Sequence, residues 1–249
     1  MNLEHIAGLV LVLASVVLLI VLSLPRKTRR GRDLRDIPGF RRLRRSIGLS
    51  VEEGSRLHIS LGKSSPVNAN GAASLAALAA LERVARMNSL SDRPPIATSG
   101  DGSLAILSQD TLKAAYRLAN ALELYDPDRG RLGGATPISY IAGALPITST
   151  EHVGTHLLVG SFGPEIALIT EAAERRGALS LAATDSLPAQ AALYATASEP
   201  LIGEELFAVS AYLQAGPAHT ASLRVQDVLR LVAVGALILG ALLKLVGVL

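Results

Sequence analysis

Four sets of residues combine types that could bind a ligand or carry out a reaction. Gly62-Lys63-Ser64-Ser65 has the end of a phosphate loop, in which an ammonium and backbone N–H groups hold an anion, but the glycine that motif needs five places earlier is Leu57. Gly160-Ser161-Phe162-Gly163-Pro164-Glu165 follows an apolar run and opens a helical one, as dinucleotide loops do. Its glycine spacing departs from that motif and Glu165 would repel a phosphate, so a cation or a neutral ligand suits it better. Ser161, Asp185 and His219 stand in the nucleophile, acid, base order of α/β hydrolases, yet Val159 replaces the first glycine of the elbow and no Gly-rich oxyanion loop stands earlier. Glu151, His152 and His156 could ligate a metal if a loop or helix turned both imidazoles to one face, and Gly154 between them argues against a helix there. His58 sits in a strand-like run and reads as a core or sheet-face residue. No catalytic residue, metal or cofactor is assigned on these patterns.

The elements that must position these residues follow from periodicity. From Gly48 onward, short apolar runs alternate with Ala-rich helical stretches, which predicts an α/β fold: a single Rossmann-like layered domain with a largely parallel sheet. Strands are expected at residues 57–61, 95–98, 137–144, 155–159 and 178–183, and helices at 72–87, 108–124, 164–176, 187–197 and 203–213. In such sheets ligands bind beyond the carboxyl ends of the strands. The candidate ligand-binding residues are therefore Gly62, Lys63, Ser64, Ser99, Asp101, Gly160, Ser161, Glu165, Asp185 and Ser186, although the same residue types also cap helices and make turns.

Apolar runs lie at both ends of the chain. Residues 6–24 contain no charge, and residues 228–249 contain only Arg230 and Lys244, each placed to reach an interface, so both are expected to be transmembrane helices. Glu4 before the first run, and Pro25 with a basic cluster after it, fit a retained anchor rather than a cleaved signal peptide. The expected organisation is an N-terminal span at 1–25, a basic connector at 26–47 bent at Pro38-Gly39, an α/β domain at 48–226 and a C-terminal span at 227–249. Ala233, Ala236, Gly240 and Gly247 form a small-residue stripe on the last helix that would let another helix approach closely.

Ten Lys and Arg stand between Arg26 and Arg45 against Asp33 and Asp36, so this segment carries +8 and the rest of a +3 chain carries −5. Cations beside a span stay in the cytoplasm, which places the central domain on the inner side of a multi-pass cell-membrane protein. Arg26, Lys27, Arg29, Arg30, Arg41, Arg42, Arg44 and Arg45 are candidates for anionic lipid headgroups. No cysteine is present, which excludes disulfides, thiolate metal sites and thiol catalysis. Aromatic residues make up 3% with no Trp, and the localised basic charge carries no reader fold, so nucleic acid is not an expected partner.

Residues 51–62, VEEGSRLHISLG, resemble bacterial membrane proteins described only as a domain of unknown function. The likeness would run from the first helix to the last; it implies membrane attachment and supplies no activity. A non-enzymatic, membrane-anchored scaffold or ligand- and partner-binding module that self-associates is the expected function. Its expected partners are membrane lipids, further copies of the chain and other membrane proteins. A membrane-tethered, hydrolase-like enzyme using the strand-end rim is the alternative, and a subunit of a multi-copy transport assembly the third reading.

Overall fold

The computed structural model describes residues 3–24, 34–68, 71–214 and 216–245. The chain divides into two compact units, one of Arg35–Ala215 and the other of Met1–Leu34 with Gly216–Leu249.

The first unit is α/β with a six-stranded, all-parallel sheet. In chain order it contains α2 (Pro38–Glu52), β1 (Arg56–Gly62), α3 (Ala72–Asn88), β2 (Ile96–Ser99), α4 (Gly102–Leu118), β3 (Gly130–Leu132), α5 (Pro137–Thr150), β4 (Val153–Ser161), α6 (Ala167–Glu174), β5 (Leu179–Ala183), α7 (Leu187–Thr196), β6 (Glu199–Leu201) and α8 (Glu205–Tyr212). The spatial order is β3-β2-β1-β4-β5-β6, so the direction of winding reverses between β1 and β4. Helices cover both faces, as parallel sheets require. Leu57, Ile59 and Leu61 of β1 with Leu157 and Val159 of β4 pack against α2, α3, α4 and α8. Leu158 and Ala182 on the opposite face pack against α5, α6 and α7.

Residues 137–144, expected as a strand, are instead the first part of α5. A continuous apolar run does not discriminate strand from buried helix, and the deciding signals are local. The Thr136 hydroxyl accepts from the Ser139 N–H at 3.2 Å and Ser139 Oγ reaches back to the Thr136 N–H at 2.9 Å, a capping box, with Pro137 at the first helical position. Tyr140, Ile141, Ala144, Ile147 and Thr148 then fall on one buried stripe. Joining parallel β3 to β4 requires a crossover, which this helix supplies. The two edge strands β3 and β6 are three residues each and were not expected from the pattern.

Helix α2 begins at Pro38, buries Phe40, Leu43 and Ile47, and turns Arg41, Arg42, Arg44 and Arg45 outward. Each large apolar side chain so buried contributes about 2 kcal/mol. The Phe40 ring stacks on Tyr212 at 4.3 Å, Ser46 Oγ bonds Thr155 of β4, and Arg42 pairs with Glu199 at 2.5 Å.

The second unit holds α1 (Leu3–Ser23) and α9 (Pro217–Leu245), which pack together. The 29 residues of α9 extend about 43 Å, and the helix is long and apolar enough to cross a membrane. In α1 the apolar stretch Gly8–Ser23 is shorter. Ala233 and Ala236 are exposed, and among the described residues no atom outside the local helix backbone lies within 4 Å of the position a Cβ would take on Gly240. Gly247, like Arg26, Lys27, Arg29 and Arg30, lies outside the described residues.

Candidate functional site

Because every strand is parallel, the loops after β1, β2, β4 and β5 leave from one rim of the sheet. All ten sequence candidates lie on it. Gly62, at φ +80°, ends β1 against the backbone of Ser161, and a Cβ there would lie 2.6 Å from both the Ser161 N and O atoms. Gly160, at φ +149°, would carry its Cβ into the Leu61 carbonyl. Two glycines thus let the ends of β1 and β4 approach more closely than side chains allow. Lys63 N donates to Ser161 O at 2.9 Å, Gly100 N to Gly62 O at 2.8 Å and Gly133 N to Ser99 O at 2.8 Å, which carries the parallel pairing beyond the strand ends.

Across the reversal point, Lys63 Nζ meets Glu165 Oε1 at 2.5 Å, with the two side chains 20% and 12% exposed. Gly163 N–H donates to the same carboxylate oxygen at 3.2 Å. Burial pushes the Glu165 carboxyl up, but the Lys63 hydrogen bond, backbone N–H groups and the lysine charge outweigh it and hold the group below its ordinary value. The carboxylate therefore occupies, from within the chain, a position lined by an ammonium and an N–H.

The remaining candidates divide by what their side chains do. Asp101 accepts from Leu104 N at 3.0 Å and from Ser103 Oγ, capping α4; the Ser103 hydroxyl is the largest influence lowering its pKa, ahead of the opposing effect of burial. Asp101→Ala should lower stability by about 1 kcal/mol, read as a shift in the urea midpoint at pH 7. An unshifted midpoint would deny the cap any role. Ser103 in turn lies 3.1 Å from Ser65, joining the loops after β1 and β2. Ser99 is buried and donates to Asp101 O at 3.3 Å, and the Ser64 carbonyl accepts from Ser74. Asp185 is exposed, and Ser186 N donates to Thr184 Oγ1 at 3.4 Å, which also accepts from Phe162 N at 3.2 Å. Lys63, Ser161 and Glu165, set by the two glycines, form the group at the reversal point.

Beneath the rim lies a polar network that the sequence did not assemble. His58 Nδ1 and His156 Nδ1 stand 2.9 Å apart, His58 Nε2 bonds Thr98 Oγ1 at 2.9 Å, and Thr98 continues to the Tyr140 hydroxyl at 3.2 Å. Tyr140 bonds Ser60 as well. One proton serves the Nδ1 pair, and burial favours the neutral form of both imidazoles. Burial lowers the His58 pKa well below its ordinary value, with lesser contributions from His156 and Arg131, and burial alone takes His156 to about 4. His156 Nε2 is buried with no hydrogen-bond partner among the described residues. His58 and Ser60 alternate with leucine and isoleucine in LHISL, a period-two polar stripe that marks this face; Tyr140 was hidden because its segment reads as a strand.

Glu151 pairs with Arg131 at 3.0 Å and Arg56 at 3.6 Å, His152 sits in the turn before β4 at φ +49°, and His156 enters the sheet. Among the described residues no group of three or more His, Cys, Asp or Glu side chains could hold a metal. Of the hydrolase order, Ser161 and Asp185 belong to the α/β unit and His219 to α9 in the other unit. A cavity of about 610 Å³ lies between the later halves of α5 and α6, lined by Ala142, Leu145, Pro146, Thr148 and Arg176 among others. Since α5 leads into the start of β4 and α6 leads away from its end, this cavity faces the opposite end of the sheet from the rim. Its charged lining, Arg175 and Arg176, is of one sign, unlike the opposed pair at the reversal point.

A family model described as a domain of unknown function (DUF6754) matches residues 1–249. No curated protein and no solved structure matches the chain.

Proposed function

We propose that this chain, which belongs to the family described as a domain of unknown function (DUF6754), is a membrane-anchored module that binds a small polar ligand where its strand order reverses. The observation that carries the reading is the pairing of Lys63 with Glu165 across the ends of β1 and β4, at the place where open parallel sheets receive ligands. Four loops supply polar groups to that rim, and the glycines at 62 and 160 set its floor. The expected test is a native mass spectrum of the full-length chain released from mild detergent. A retained small molecule that is lost in Lys63→Ala supports the reading; a wild-type chain with no added mass argues against it.

Two spanning helices, α1 and α9, hold the domain on the cytoplasmic side in this reading, with the cations of 26–45 retained inside. The cysteine-free sequence makes this directly testable, because Lys113→Cys adds a single thiol on an exposed position of α4. A membrane-impermeant maleimide should leave it unlabelled in right-side-out vesicles and label it after permeabilisation; labelling of intact vesicles reverses the topology. Arg44 and Arg45, which have no acidic partner among the described residues, would face anionic headgroups, with Arg41 held by Asp36 at 3.1 Å. Self-association would use Ala233, Ala236 and Gly240, the last with open space around it.

A further inference from the structure

We infer that the ligand of the reversal-point crevice is an amino-acid-like zwitterion, its carboxylate replacing Glu165 on Lys63 and its ammonium replacing Lys63 on Glu165. This deepens the ligand-binding reading above and rests on it. The argument begins from the cost of separating charges that are already largely out of water. Lys63 and Glu165 are 20% and 12% exposed and in contact at 2.5 Å. A phosphate or a simple carboxylate could take Lys63 and the Gly163 N–H only by displacing the Glu165 carboxylate, which would then stand beside a second anion without a cation. A simple amine meets the mirror-image penalty at Lys63. A ligand that carries both signs a few ångströms apart restores both pairs at once, so the desolvation already present in the unliganded chain is matched rather than exposed. The resident carboxylate thus also acts as a filter against nucleotides, which distinguishes this crevice from the phosphate-binding form of the same strand order.

The surroundings are consistent in polarity. Ser65 and Ser103 form a hydroxyl pair on the β2 side, and Ser161 closes β4 beside Gly62. The backbone beneath is held by the Lys63 N to Ser161 O bond, which leaves the flexible lysine stem and the Glu165 side chain to make room for the ligand.

The experiment uses the full-length chain in detergent micelles and the twenty standard amino acids as probes, followed for the best of them by its decarboxylated amine and its deaminated acid. Binding is read by titration calorimetry, and its location by hydrogen exchange at residues 62–66 and 160–166. The zwitterion is expected to bind at least about tenfold more tightly than either single-ended analogue, with exchange slowed in both loops. Glu165→Gln, which keeps the side-chain shape, should reverse the preference and bind the deaminated acid and inorganic phosphate at least about tenfold better than the wild-type chain does. Binding of ADP or inorganic phosphate to the wild-type chain, with both loops protected, would keep the crevice as a ligand site and overturn its assignment to a zwitterion. Unchanged exchange in both loops with the amino acids, ADP and phosphate alike would overturn the crevice and the zwitterion together.

Discussion

Lowering the pH from 7 to 4 is expected to remove about 3 kcal/mol of folding stability through His156 alone. The sign follows from where each state takes its proton. In the unfolded chain an imidazole protonates near 6.5; in the folded chain burial holds His156 to about 4, and His58 well below its ordinary value. Between those limits the unfolded state binds more protons than the folded one, so stability falls by about 1.4 kcal/mol per pH unit for each histidine fully titrating in this way. Above about 6.5 the contribution is complete, and below about 4 His156 adds no further slope. Asp101 and Glu165, whose folded pKa values are depressed, contribute above their unfolded values and lose that contribution only as pH falls through the lower folded ones. The histidine slope is therefore isolated above about pH 5, where the carboxylates stay ionised in both states. Urea midpoints of the full chain in micelles at pH 7, 6, 5 and 4.5 measure the histidine slope directly. A flat series would mean that the pair is hydrated or already charged, and the network from His156 to Tyr140 would have to be redrawn.

The same network shows what could be read in advance. LHISL announces a strand whose alternate residues are polar, and the apolar runs at 95–98, 155–159 and 178–183 lie on β2, β4 and β5 as the alternation predicts. That was enough for an α/β fold with a parallel sheet, and hence for a single rim carrying Lys63, Ser161 and Glu165. It was insufficient for the pairing. Lys63 and Glu165 are 102 positions apart and His58 and His156 are 98 apart, and nothing local in the chain selects one partner over another at that separation. Strand order alone brings β1 beside β4. The two edge strands were illegible for a different reason: three residues including Gly130 or Pro200 carry no period, and their pairing is imposed by β2 and β5. Residues 137–144 show the third kind of failure, in which an apolar run has the composition of a strand and only the capping box and the crossover geometry make it a helix.

Gly62→Ala is expected to destabilise the domain by more than about 3 kcal/mol. Two costs combine at that position. An L side chain at φ +80° is disfavoured by about 1–2 kcal/mol, and the new Cβ would stand 2.6 Å from both the N and O atoms of Ser161, which are backbone and cannot swing aside. Gly177 isolates the first cost, since it holds φ +69° with nothing within 4 Å of its Cβ position. Gly177→Ala should therefore lose only about 1 kcal/mol. The difference between the two urea midpoints measures the backbone contact of β1 with β4, and equal midpoints would show that the strand ends do not approach as closely as described. The comparison also bears on the site. Relief of the collision requires the ends of β1 and β4 to separate, and Lys63 follows Gly62 directly while Glu165 follows Gly160 by five residues. A folded Gly62→Ala chain should then show faster hydrogen exchange at 160–166 as well as at 62–66, because the ion pair that spans the two loops is anchored by the backbone contact the methyl disrupts.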